Sequence, residues 1–252
     1  DRLTEERFIN DCGIPTARFH AIDSQADLDA ALADFGGQGV LKTRRLGYDG
    51  KGQKVFRSAA DDAAGAFASL GSVPMILESF VAFERELSVI AARGLDGKVR
   101  AFDPAENVHR NGILHTSTVP ANVSEATAEA ARAAAAAILG KLDYVGVIGI
   151  EFFVLADGGL VANEMAPRVH NSGHWTEAAC VISQFEQHIR AVAGLSLGNP
   201  RRHSDCVMQN LIGDDIDVLP QWLATDDTLV HLYGKTEARP GRKMGHVTTL
   251  KR

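Results

Sequence analysis

Residues 125–142, EATAEAARAAAAAILGKL, constrain this chain most: a proline-free run dominated by alanine favours helix at nearly every position. The segment after it, Val145–Leu155, is of the opposite kind, apolar and β-branched, and Leu160–Glu164 resumes that character beyond Ala156-Asp157-Gly158-Gly159. Asp157-Gly158 is a strong hairpin signal, so two strands joined by a tight turn follow the helix. A long helix beside antiparallel strands buries its apolar stripe on their sheet, and the pattern predicts an α+β fold with mixed sheets.

The rest of the chain fits that class. Thr4 is placed to cap a first helix ending at Asp11, with Gly13 and Pro15 beyond it as stop signals. Ser24 caps a predicted helix over 24–35, where Leu28, Ala31, Leu32 and Phe35 share one face. Gly39–Lys42 and Gln53–Phe56 predict two strands around a glycine-rich loop, and 58–70 a helix capped by Ser58. Met75–Leu77, Glu86–Ala92 and Val99–Phe102 predict further strands, 176–193 a helix, and Cys206–Arg252 short strands and turns.

Composition narrows the function. At 45% hydrophobic and 23% charged the chain is globular, and its net charge of -6 favours neither a nucleic-acid backbone nor an anionic membrane surface. Nucleic acid and membrane are therefore not expected partners, and a phosphate-bearing substrate needs a local concentration of positive charge. The apolar runs are too short to span a bilayer. Cys12, Cys180 and Cys206 are widely spaced and odd in number, which fits reduced core thiols in a cytoplasmic protein. The opening at Asp1, without Met, points to a longer protein.

Three constellations carry chemistry. In KTRRLGYDGKGQ (42–53), Gly47, Gly50 and Gly52 let backbone N–H groups approach an anion, while Lys42, Arg44, Arg45 and Lys51 add positive charge. It lacks the GxxxxGK[ST] pattern and joins two strands, so it is either an anion-holding flap or a solvated basic hairpin tip. Glu151 and Glu164 form the second. If Asp157-Gly158 is a two-residue turn they face each other across the hairpin, an arrangement that repels unless a cation such as Mg²⁺ lies between; the alternative is two exposed edge carboxylates. The third, NEMAPRVHNSGHW (163–175), crowds Asn163, Glu164, Arg168, His170, Asn171 and His174 into an irregular segment. A weaker fourth, YGKTEARPGRKMGHVT (233–248), is a basic turn with Lys235, Arg239, Arg242, Lys243 and His246.

In this order, with ILESFVAFERELSV between them, these motifs resemble the ATP-grasp superfamily and, in their wording, the 5-(carboxyamino)imidazole ribonucleotide synthase family. The likeness covers essentially the whole chain. It implies an ATP-grasp domain over 1–195, with a small ATP-lid subdomain about 10–75, then a β-rich C-terminal segment over 196–252. A preceding N-terminal domain of about a hundred residues, usual in the family, is absent from this sequence. It further implies that Lys42 and the loop Gly47, Tyr48, Asp49, Gly50, Lys51, Gly52 and Gln53 hold the ATP phosphates. Glu78, Ser79, Phe80 and Val81 would line the adenine edge, Glu86 the ribose and His109 the nucleotide site. Glu151 and Glu164 would bind Mg²⁺ (or Mn²⁺), with Asn163 beside them, and Arg168 and Asn171 would face the transferred phosphate. Tyr48, Asp49, Lys51, Lys235 and Arg242 match positions used for bicarbonate and 5-aminoimidazole ribonucleotide, and the usual assembly is a homodimer. The implied reaction makes carboxyphosphate from bicarbonate and ATP and then carboxylates the ribonucleotide amine. Formate-dependent glycinamide ribonucleotide transformylase and the biotin-carboxylating subunit are rival ligases. A non-catalytic nucleotide-binding module is the rival of another class, disfavoured by the presence of Lys42, Glu151 and Glu164 together.

Overall fold

The computed structural model of the chain describes residues 1–47 and 52–251. They divide into two compact units, Asp1–Phe83 with Val161–Asn163, and Glu84–Leu160 with Glu164–Arg252.

The first unit opens with α1 (Arg2–Asp11), then β1 (Phe19–Ile22), α2 (Gln25–Asp34), β2 (Gly39–Thr43), β3 (Gln53–Phe56), α3 (Ala66–Ser69) and β4 (Met75–Glu78). Its sheet runs β1-β4-β2-β3, all antiparallel. Leu28, Ala31 and Leu32 of α2 pack with Ile22, Leu41, Phe56, Met75 and Leu77 from the sheet. Each large aliphatic side chain buried there contributes about 1.5–3 kcal/mol. The cap of α1 is Asp1, whose Oδ1 accepts from the Thr4 N–H at 3.2 Å, so the helix begins three residues before the predicted Thr4 cap. Of the helix expected over 58–70 only α3 forms. Local side chains take the backbone donors instead: Asp61 accepts from the Arg57 N–H at 2.6 Å and Asp62 from the Ala64 N–H at 2.8 Å, which competes with helix.

The second unit contains β5 (Arg85–Arg93), β6 (Val99–Ala101), β7 (Ala105–Arg110), β8 (Ile113–Val119), α4 (Glu125–Lys141), β9 (Gly146–Val154) and, apart from Val161–Asn163, β10 (Leu160–Ala166). It continues with α5 (Thr176–Ala179), α6 (Gln184–Val192), β11 (Asp205–Ile212), α7 (Leu219–Leu223), β12 (Thr228–Leu232) and β13 (Lys243–Lys251). Among the described residues nine strands form one sheet in the order β10-β9-β5-β7-β8-β11-β13-β12, with β6 on β5. The C-terminal strands therefore extend the sheet that carries β9. The small Ala131 and Ala135 side chains, both buried, let α4 lie close to the sheet. The helix expected over 176–193 is two, because Cys180 bridges to Arg202 and Ser183 starts α6 by accepting from the Glu186 N–H. Among the described residues the strand pairs with a defined register are antiparallel, and the isolated bridge Thr16–Ala162 is parallel. No helix among the described residues is long and apolar enough to cross a membrane.

Candidate active site

In the first unit Lys42 leaves β2 as an alternately buried strand would have it, and its Nζ meets Glu78 Oε2 at 2.5 Å. Both side chains are largely buried. Nearby Glu6 is pushed up to about 7, chiefly by burial and also by the charge of Glu78. Glu78 Oε1 is buried without a partner, so the pair keeps an acceptor in reserve. Beyond Glu78 the chain is irregular through Ser79, Phe80 and Val81, and the Ser79 N–H donates to the Arg18 carbonyl at 2.8 Å. Gly47 and Gly52 flank the glycine-rich loop, Tyr48, Asp49, Gly50 and Lys51 lie outside the described residues, and Gln53 is exposed. Gly52 has φ +73, and a Cβ there would stand 2.8 Å from Thr43 Oγ1, so only glycine closes this hairpin without strain.

The positive charge counted in that loop is largely committed elsewhere. Arg44 donates to the Met75 carbonyl at 2.8 Å and to Asp23 at 3.0 Å, and Arg45 contacts Asp1 at 3.3 Å. These two arginines hold the loop to the unit, which leaves Lys42 as the described cation on the β2 strand. Asn163 also belongs to the first unit, where neighbouring Ala162 donates to the Pro15 carbonyl at 2.8 Å.

The second unit gathers the acidic groups. Ser88 on β5 pairs with Glu151 on β9, and Glu86 on β5 pairs with Asn107 on β7. His109 Nδ1 lies 2.5 Å from Glu86 Oε2, a close ionic contact without the alignment of a hydrogen bond. Burial pulls the His109 pKa down, but Glu86, Glu151 and Glu164 outweigh it and the net direction is upward. The β7–β8 hairpin that presents His109 turns at Asn111-Gly112, both at positive φ. That Asn-Gly pair is the signal in the sequence that marks this hairpin.

Oxygens of Glu151 and Glu164 and a nitrogen of His170 lie within 4.8 Å of one another. Burial first, and the charge of Glu164 second, push Glu151 up to about 7. The turn between β9 and β10 is not the expected two-residue one. The Gly158 N–H donates to the Leu155 carbonyl at 2.9 Å and the Leu155 N–H to the Gly159 carbonyl at 2.8 Å, a three-residue loop with Gly158 at φ +83. Pairing counted from this turn is offset by one residue, so the convergence of the carboxylates does not follow from the register argument that anticipated it.

His170 had no role assigned by sequence, yet it is locked in place. Its N–H donates to Gln184 Oε1 at 2.9 Å, its carbonyl accepts from Gln184 Nε2 at 2.7 Å, and Nδ1 contacts Ser172 Oγ at 2.8 Å. Burial holds its pKa down to about 4. The Ser172 N–H donates to Nδ1 at 3.4 Å, which assigns the ring proton to Nε2, facing Glu151 Oε1 at 3.8 Å. The close approach needs Gly149, where a Cβ would sit 2.6 Å from the His170 Cβ. Asn171 is more telling. Both ends of its amide are buried without a partner, which a fold does not leave unmet at no cost. Arg168 is exposed and donates to the Val169 carbonyl at 3.0 Å. Lys235 is exposed and donates to the Lys243 carbonyl at 2.5 Å, and Arg242 donates to the Glu237 carbonyl at 2.9 Å. Lys243, unassigned by sequence, is close enough to lower the pKa values of both Glu151 and His170.

The ATP-grasp domain family matches residues 7–185, and the phosphoribosylaminoimidazole carboxylase C-terminal domain family matches 206–252. N5-carboxyaminoimidazole ribonucleotide synthase of Brucella melitensis is 64% identical over 100% of this chain and 70% of its own length. The chain belongs to this ATP-grasp family. A crystal structure described as an ADP complex of N5-carboxyaminoimidazole ribonucleotide synthetase superposes with a TM-score of 0.94 at 44% identity, covering 100% of this chain and 67% of that one. The Aspergillus clavatus enzyme, in complex with ADP and 5-aminoimidazole ribonucleotide, gives 0.91 at 30% identity, with 100% and 68% covered. Like its family, the chain is an ATP-dependent carbon–nitrogen ligase of purine biosynthesis. The ATP-grasp, α+β expectation holds.

Proposed function

We propose that this chain catalyses ATP-dependent carboxylation of 5-aminoimidazole ribonucleotide by bicarbonate and that the residues described above divide the work. The observation that carries the assignment is the half-buried Glu151–Glu164 pair beside neutral, buried His170, in a family whose members bind ADP and this ribonucleotide. Two hard carboxylates crowded until one rises to about 7 fit a divalent cation such as Mg²⁺ or Mn²⁺. When bound, that ion neutralises phosphate charge during phosphoryl transfer. With its proton on Nε2, 3.8 Å from Glu151 Oε1 and beyond hydrogen-bond reach, His170 offers no lone pair there and leaves the ion to Glu151 and Glu164.

Lys42 holds phosphate oxygens, released in part from Glu78, and the loop 47–53 covers them. Glu78, Ser79, Phe80 and Val81 serve the adenine, and Glu86 with His109 the ribose side. The unpartnered Asn171 amide, with Arg168 and Asn163, receives the transferred phosphoryl group. Bicarbonate oxygen attacks the γ-phosphorus, the bond to ADP breaks, and carboxyphosphate forms; the exocyclic amine nitrogen then bonds to the carboxyl carbon, the bond from that carbon to the phosphate oxygen breaks, and the amine proton leaves with the phosphate. Tyr48, Asp49 and Lys51 with Lys235 and Arg242 hold bicarbonate and the ribonucleotide. Carboxyphosphate hydrolyses readily, so water must be kept out while it lasts.

A cytoplasmic location belongs to the same proposal; the buried Cys180 and Cys206, each pushed up to about 12 mainly by burial, behave as inert thiols. So does a homodimer, which light scattering tests. The chemistry itself is tested with bicarbonate carrying heavy oxygen. Label appearing in the inorganic phosphate supports carboxyphosphate, and unlabelled phosphate during turnover rejects it.

A further inference from the structure

Away from the residues assigned to catalysis, the second unit holds another cluster of ligating side chains. Glu177 sits on α5, and antiparallel pairing sets His231 of β12 opposite His246 of β13. One atom from each lies within 4.8 Å of the other two. Glu177 Oε2 is 3.7 Å from His246 Nε2 and 3.8 Å from His231 Nδ1. The two imidazoles are nearly parallel, at 11° and 5.3 Å between centroids. Donors sharing one tetrahedral ion at about 2.0–2.2 Å stand roughly 3.3–3.5 Å apart, so the contacts of Glu177 to the two histidines need close by only a few tenths of an ångström. The His231 side chain is 59% exposed, which gives an ion a way in, while His246 is buried.

The hydrogen bonds behind the cluster narrow its state. Tyr233 Oη lies 2.8 Å from His246 Nδ1 and 3.2 Å from His174 Nδ1, and one hydroxyl proton can serve only one of them. If the His246 Nδ1–H donates to Tyr233 and the hydroxyl donates to His174, His246 Nε2 turns a lone pair on the Glu177 carboxylate. That opposition is repulsive unless a cation stands between. In the reverse order the Nε2–H points at Glu177 across a distance too long for a hydrogen bond.

We propose that Glu177, His231 and His246 form a site for a divalent transition-metal ion such as Zn²⁺, with Tyr233 fixing the His246 tautomer from outside the coordination shell. Two imidazoles and one carboxylate suit Zn²⁺ better than Mg²⁺ and leave a fourth position for water. The site pins β12 to β13 at the base of the turn that carries Lys235 and Arg242, and its existence does not depend on the roles proposed for those residues.

The test uses full-length protein freed of metal by chelation, titrated with Co²⁺ in absorption and with Zn²⁺ against a chromophoric chelator. One ion per chain is expected to give the visible bands of tetrahedral Co²⁺. Glu177→Gln and His231→Ala each weaken binding about tenfold or more, roughly 1.4 kcal/mol, without lowering the metal-free Tm. Glu164→Gln, in the other cluster, leaves this binding unchanged. Absence of Zn²⁺ binding, binding that survives both Glu177→Gln and His231→Ala, or binding lost in Glu164→Gln overturns the proposal. His231→Ala is decisive because that side chain is exposed, whereas loss of buried His246 could act through folding.

Discussion

Replacing Glu151 with glutamine should stabilise the metal-free protein while removing its response to magnesium. Burial and the Glu164 charge raise the Glu151 pKa from an ordinary 4.5 to about 7. At about 1.4 kcal/mol for each tenfold change in the ionisation constant, that displacement is worth about 3 kcal/mol. Between pH 4.5 and 7 the native state binds a proton that the unfolded state has released, so stability falls as pH rises through this window and stays lower above it. Glutamine cannot ionise and escapes that loss. At pH 8 without metal, Glu151→Gln should be about 3 kcal/mol more stable, roughly 6–12 °C in Tm for a chain of this size, and the gain should vanish near pH 4.5. Magnesium should raise the Tm of the parent at pH 8 by mass action and leave the variant unmoved. The assay is thermal unfolding followed by circular dichroism across that pH range, with and without Mg²⁺. A variant that is no more stable than the parent at pH 8, or whose gain does not depend on pH, refutes the reasoning.

Two further outcomes follow from single contacts. Lys42→Met strands Glu78 beside Glu6 in a buried setting and should cost about 3–5 kcal/mol in urea unfolding. Lys42→Met with Glu78→Leu should recover most of that cost, and a loss under about 1 kcal/mol in the single variant would show the pair is not buried as described. Asn171→Leu should leave stability unchanged or raise it by about 1–3 kcal/mol, because it removes an unpartnered buried amide, while turnover falls at least roughly tenfold. Destabilisation with normal turnover would make Asn171 a structural residue.

What sequence could supply was set by how local the signal is. The alanine helix, the strands 39–42 and 53–56 and the Ser24 cap are local matters of propensity and capping, and they stand as read. The helix expected over 58–70 failed because Asp61 and Asp62 bind nearby N–H groups, an effect that helical periodicity does not register. The Lys42–Glu78 pair joins residues far apart in sequence through strand pairing that no local pattern encodes. The same is true of His170 beside Glu151, although Gly149 in the middle of an apolar strand was a mark of close approach. Asn-Gly at 111–112, by contrast, is a local hairpin signal. The carboxylate pair came together despite a turn one residue longer than the one that anticipated it.

The most direct test of the account is ADP release by the full-length protein with MgATP, adding bicarbonate and 5-aminoimidazole ribonucleotide singly and together. Rapid turnover is expected only when both are present, with 5-(carboxyamino)imidazole ribonucleotide formed in step with ADP. Equal turnover without bicarbonate, or with formate in its place, would contradict it.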